Sequence, residues 1–155
     1  MRTAAIIAAA LIAVAPAAAS AQVGSSNANT ETRAFVGLNW AFGAGPPRAD
    51  GVLGVARVRT KANDNSRGVR ASVNIGLTDG FSFRGVRLTG MTGKNNAMAE
   101  AGVGFGNDGL FGTAGFWAPH VHGGADFNFG GGVEGYFGLH SQGEWDGPAE
   151  EQFER

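Results

Sequence analysis

The residues best able to do chemistry lie in the last third of the chain. His120 and His122 form an H-x-H pattern, His140 and Ser141 are neighbours, and Asp126 and Glu134 lie between them. On an extended strand, residues two apart project from one face, a spacing that metal-binding imidazoles use. His120, His122 and His140 are therefore weak candidate metal ligands. His120 follows Pro119, a turn signal that takes it out of register, so a strand-end pair facing water or headgroups is the plainer reading. Ser141, His140 and Glu134 include the residue types of a hydrolase triad. Adjacent strand residues point to opposite faces, however, and no G-x-S-x-G is present. Gly102-Val103-Gly104-Phe105-Gly106 lacks the G-x-G-x-x-G spacing of a dinucleotide loop. The chain is expected to be non-enzymatic and to need no cofactor.

Charge is the second candidate feature, because on the polar rows it segregates by sign. Arg57, Arg59, Arg70 and Arg87 come early, and Glu100, Asp126 and Glu134 come late. If the chain closes into a ring, the two sets meet across its interior as paired, hydrogen-bonded charges. Arg57, Arg59 and Lys61 would suit anionic headgroups or polysaccharide on a solvent-facing strand. The interior salt-bridge reading is more economical. Glu144, Asp146, Glu150, Glu151 and Glu154 make the last residues acidic, which reads as a solvated tail. Within it, Trp145 is the residue suited to docking back onto the body of the protein.

The elements that must position these residues begin with an export signal. Arg2 is followed by an uncharged apolar run from Ala4 to Val14, then by Pro16 and the small-x-small sequence Ala19-Ser20-Ala21. The run is too short to span a bilayer as a helix and fits a cleaved signal peptide over residues 1–21. The mature chain then starts at Gln22. There is no Cys, so neither disulfides nor a lipid-modified Cys contribute. Loss of Arg2 takes Lys+Arg from 12 to 11 against 13 acids, moving the formal charge from −1 to −2. That balance gives no support to nucleic-acid binding.

Residues 22–32 read as a flexible polar lead-in, residues 33–141 as a β-domain and residues 142–155 as the acidic tail. From Arg33 to His140 apolar residues recur with period two, the strand signature. Turn signals at Gly45-Pro46-Pro47, Asn63-Asp64-Asn65, Asp79-Gly80, Lys94-Asn95-Asn96, Asn107-Asp108-Gly109, Pro119 and Gly130-Gly131-Gly132 divide the region into eight segments. In the third, Val69, Ala71, Val73, Ile75 and Leu77 oppose Gly68, Arg70, Ser72, Asn74 and Gly76. In the second, Val52, Gly54, Ala56 and Val58 form the charge-free row against Leu53, Val55, Arg57 and Arg59. The fourth changes phase near Arg84-Gly85, where one inserted residue would make a β-bulge. The sixth, Leu110 to Ala118, is apolar on both faces and has no preferred orientation.

Two architectures fit rows of this kind. A soluble barrel or sandwich turns the apolar rows inward, and a membrane barrel turns them toward lipid. The polar rows are rich in Gly, at Gly68, Gly76, Gly102, Gly104, Gly124 and Gly138. Small residues beside Arg and Glu suit the narrow interior of eight strands. Aromatics near segment ends (Trp40, Phe42, Phe81, Phe83, Phe105, Phe116, Trp117, Phe127 and Phe129) suit interfacial girdles.

In signal sequence, eight alternating segments and Gly–aromatic texture, Arg33 to His140 resembles the small OmpA/OmpX-type outer-membrane barrels. The resemblance is one of pattern and carries no functional residues. It implies an all-β, eight-stranded antiparallel up-and-down barrel in a Gram-negative outer membrane, with a structural or surface role. Outer-membrane lipid and the barrel-assembly machinery are the implied partners, with no nucleic acid. Arg57, Arg59, Arg70, Arg87, Glu100, Asp126 and Glu134 would then be lumenal. The alternatives are a soluble periplasmic barrel or sandwich holding a small apolar ligand, and an envelope lipid-modifying enzyme.

Overall fold

The computed structural model describes residues 28–148 except 44 and 79. The expected signal peptide, the start of the lead-in and residues 149–155 lie outside the described residues. The rest is all β. Strands β1 (Ala28–Phe42), β2 (Arg48–Lys61), β3 (Asn65–Gly76), β4 (Ser82–Lys94), β5 (Ala97–Gly106), β6 (Gly109–Ala118), β7 (Val121–Asn128) and β8 (Val133–His140) follow in chain order. Each pairs antiparallel with the next, and β1 pairs with β8 to close an up-and-down barrel. Closure removes the sheet edge where β1 and β8 pair, over Gly37 to Phe42 of β1.

The turns fall where Gly, Asn, Asp and Pro cluster. Asp64 and His120 adopt positive φ, as do Gly80, Gly109, Gly131 and Gly132, so the tight reversals sit on residues that tolerate that geometry or lack a Cβ. On β4, Gly85 faces Asn74 and Phe83 faces Ile75. Arg84 is thus the extra residue of a bulge, which brings Phe83 and Val86 to the same outer wall.

Two elements depart from expectation. β1 starts at Ala28, so residues 28–32 are strand rather than lead-in; Ala28 to Thr32 pair with Lys61 to Arg57, which gives their backbone partners on the β2 side. The segment from Ser141 to Pro148 is not a free acidic end. Ser141 N–H donates to Val36 O, Trp145 N–H donates to Asn95 O, and Trp145 is 2% exposed. The tail folds across one mouth of the barrel, termed here the tail mouth. The opposite, turn mouth carries the β1–β2, β3–β4, β5–β6 and β7–β8 connections.

Inside and outside are sharply divided. Large apolar side chains line the outer wall, among them Val36, Leu38, Leu53, Val55, Val69, Leu88, Val103, Leu110 and Leu139, all exposed. Arg70, Arg87, Glu100, Asp126, His122 and His140 are buried within the barrel. Glycine makes room for the largest interior groups. A Cβ added at Gly54 would stand 2.5 Å from Phe35 Cζ, and one added at Gly104 would collide with the Phe111 ring.

Candidate functional site

The interior is a stack of side chains running from mouth to mouth. Next to the tail mouth, Trp145 joins Val58, Met91, Met98, Ala56, Val52, Phe35 and Trp117 in one apolar cluster. The Arg33 guanidinium lies 4.9 Å from the Trp145 ring centroid. Arg33 also pairs with Glu31 and Asp146, each at 2.8 Å. The next layer is aromatic. Trp117 stacks on His140 at 3.6 Å between centroids and meets Phe35 edge-on at 5.0 Å.

Below this lies the buried charge network. Arg70 Nη2 donates to Glu100 Oε1 at 2.8 Å, with side chains 2% and 0% exposed. Tyr136 donates its hydroxyl to the same oxygen at 3.1 Å, and Thr89 Oγ1 lies 3.4 Å from Glu100 Oε2. Arg70 also lies over the Trp117 ring at 4.6 Å. Arg87 pairs with Asp126 and lies 4.6 Å from the Tyr136 centroid. Each carboxylate accepts from a planar guanidinium, the pairing in which two desolvated charges are best matched.

At the turn mouth, Arg48 pairs with Glu134 at 2.5 Å, and Asp50 receives Arg84 at 3.6 Å and Arg48 at 4.0 Å. Arg48, Asp50, Arg84, Arg87, Asp126 and Glu134 line a cavity of about 100 Å³. That is room for a few waters and well below the volume of an ordinary small-molecule pocket.

Four of the seven residues expected in the lumen, Arg70, Arg87, Glu100 and Asp126, lie deep within it. Glu134 lies at its mouth and is paired there with Arg48. Arg57 and Arg59 do not enter the lumen; both are exposed on the outer wall. On β2 the inward row is Asp50, Val52, Gly54, Ala56, Val58 and Thr60, the reverse of the expected facing. The physical reason is strand length. β2 runs past the apolar belt, so its outer row is Leu53 and Val55 within the belt and Arg57, Arg59 and Lys61 beyond it. Trp117 is also inward, packed in the core rather than in a girdle. Of the expected girdle aromatics, Trp40, Phe42, Phe81, Phe83, Phe105, Phe127 and Phe129 lie on the outer wall at the turn-mouth rim, whereas Phe116 is exposed toward the tail-mouth end of β6.

The histidines do not converge as ligands. His120 is exposed in the β6–β7 turn with φ of 65°, so the H-x-H pair does not share a face. His122 Nε2 donates to Asn39 Oδ1 at 2.6 Å. His140 Nε2 donates to Val121 O and its Nδ1 accepts from Gln142 N–H. Among the described residues no group of three or more His, Cys, Asp or Glu is placed to hold a metal. Nor do Ser141, His140 and Glu134 form a triad. Ser141 Oγ accepts from Val36 N–H, His140 is committed within the lumen, and Glu134 belongs to the far mouth.

Arg48, Asp50 and Arg84 are site residues that the sequence does not mark as such; Arg84 stands out there only as the phase break. Their signal was the polar character of both ends of an otherwise apolar β2 row, and of the bulge itself. Comparison with protein-family models, with curated proteins and with solved structures gives no match for this chain.

Proposed function

We propose that the mature chain is a non-enzymatic β-barrel of a Gram-negative outer membrane, of the OmpA/OmpX type, with a structural or surface role. The observation that carries this reading is the inverted polarity of the barrel. Leu38, Leu53, Val69, Leu88, Val103 and Leu139 are exposed outside, while Arg70 and Glu100 are shielded inside. In water such a wall would expose an apolar surface far larger than soluble monomers carry. In lipid it is the expected band, and closure through β1 and β8 pairs strand backbone all the way round the barrel.

The interior supports a scaffold rather than a wide pore. Trp145, the Trp117–His140 stack, the Arg70–Glu100 network and the Arg87–Asp126 pair occlude it in succession. The alternative of a soluble carrier for an apolar ligand calls for inward Val, Ile and Phe rows. Val69, Val73 and Ile75 instead alternate with buried Arg70, Ser72 and Asn74 on the outer side of β3.

The test is fractionation with gel mobility. The expected result is recovery in the outer-membrane fraction, and faster migration unheated than boiled, as closed barrels in detergent show. Complete recovery in detergent-free osmotic-shock fluid would overturn the reading.

A further inference from the structure

On β2, β3 and β4 the apolar belt of the outer wall ends abruptly toward the tail mouth. Leu53 and Val55 give way to Arg57, Arg59 and Lys61 on β2. On β3 the row from Leu77 to Val69 gives way to Arg67, and β4 ends at Lys94. All five cations are exposed. The register makes them one patch: Arg59 faces Arg67 directly, Arg57 faces Val69, and Lys94 faces Asn65 beside the Lys61 turn. The outer faces of β5 to β8 at this end carry Ala97, Ala99, Ala118, Val121 and Leu139 instead, so the charge is confined to one side of the barrel.

Among the described residues none of these five cations forms an ion pair. The ion pairs there use Arg33, Arg48, Arg70, Arg84 and Arg87. Lys94 Nζ donates to the Asn63 carbonyl, which leaves its charge uncompensated. Like charges directly opposite each other on neighbouring strands are destabilising. The Arg59–Arg67 pair therefore gains from an external anion lying between the two guanidinium groups, whose geometry suits phosphate oxygens.

The geometry points to the phosphate groups of anionic glycerophospholipids, in the leaflet beside the tail mouth, as the ligand of this patch; this rests on the membrane-barrel reading above. Position favours a lipid headgroup over a soluble polyanion. Arg57 is two residues beyond Val55 and Arg67 two beyond Val69, a step of about 7 Å along a strand. From Leu77 to Val69 the apolar row spans about 26 Å along the strand, or about 20 Å across the membrane at the usual barrel tilt. The cations thus begin where hydrocarbon ends and headgroups start. Basic residues next to an anionic surface each strengthen binding by roughly fivefold.

The test compares folding of the full mature chain into phosphatidylcholine vesicles and into vesicles that also contain phosphatidylglycerol. Heat-modifiable mobility scores insertion, and vesicle titration scores partitioning. The wild type is expected to insert into both, with partitioning at least about tenfold stronger in the anionic vesicles and weakened by salt. The triple variant Arg57→Gln, Arg59→Gln, Arg67→Gln should still insert into phosphatidylcholine and lose the anionic preference. The triple Arg→Lys variant should keep most of it. Insertion of the wild type without preference, or a preference that survives the Gln variant, overturns the proposal while leaving the membrane reading intact. Binding of soluble heparin through these residues without a vesicle preference would assign the patch to polysaccharide and also overturn it. Failure to insert into either vesicle would overturn the membrane reading and this proposal together.

Discussion

Arg70 on β3 and Glu100 on β5 meet inside the barrel at 2.8 Å, on strands separated in the sheet by β4. Tyr136 and Thr89 complete the shell around the carboxylate. Removing the cation leaves Glu100 buried with neutral donors alone. Arg70→Ala is expected to destabilise the barrel by about 3–5 kcal/mol. Glu100→Gln should cost less, since an amide keeps an acceptor for Tyr136, although Arg70 then loses its counter-charge. Urea unfolding in phosphatidylcholine vesicles measures both. A harmless Arg70→Ala would mean that water reaches this layer.

The two faces of β3 provide an independent check. Val73 lies on the outer row, between inward Ser72 and Asn74. Val73→Arg is expected to cost about 2–4 kcal/mol near the bilayer midplane. Val73→Leu should be nearly silent, because lipid accommodates a methylene that a packed core resists. Met98, 2% exposed in the apolar cluster, is the inward counterpart, and Met98→Ala should cost about 2–5 kcal/mol. Equilibrium unfolding in the same vesicles separates the cases. A costly Val73→Leu with a silent Met98→Ala would exchange the two faces.

The eight strands and their turns were legible because period-two alternation and turn chemistry are local signals. Val69 to Leu77 against Gly68 to Gly76 shows it on β3, and the phase break at Arg84 shows it on β4. The facing of β2 was not legible by the same rule. Charge marks a lumenal row only within the apolar belt of the outer wall, and Arg57 and Arg59 lie past that belt. Extending the row back to Asp50 and on to Thr60 would have exposed the inward side by its polar ends. The Arg48–Glu134 pair rests on a contact 86 residues apart in sequence, which no local pattern encodes; Trp145 is recognisable as the tail residue suited to docking, but its partner Asn95, about 50 residues away, is not. The orientation of β6 likewise came from closure, since Leu110 and Phe111 are equally apolar.

A barrel filled in this way should not conduct as a porin does. The turn-mouth cavity of about 100 Å³ ends against Arg87, Asp126 and Phe111, and the Arg70 layer lies beyond. In planar bilayers the mature chain is expected to give no steady porin-sized steps. Brief, small events from side-chain fluctuation are compatible with the packing. Stable large steps would show that the interior network opens in lipid.

The tail makes the sharpest separation between a structural plug and a free end. Trp145 is buried against the apolar cluster, its backbone N–H donates to Asn95 O, and Arg33 holds both its ring face and neighbouring Asp146. A buried Trp truncated to Ala costs about 3–5 kcal/mol where the site cannot rearrange. Here the tail can detach locally, so the loss is limited to the free energy of docking and should fall at or below that range. Trp145→Ala is therefore expected to expose Ser141 to Pro148 to protease much faster than in the wild type, while heat-modifiable mobility persists. Arg33→Ala should act in the same direction with a smaller effect, because it removes the ion pair and cation–π contact but not the ring. Neither change should open a conductance, since the Phe35–Trp117–His140 layer remains beneath the vacated mouth. Equal protease resistance of wild type and Trp145→Ala would sink the plug, and a new large conductance would show that Trp145 alone seals the lumen.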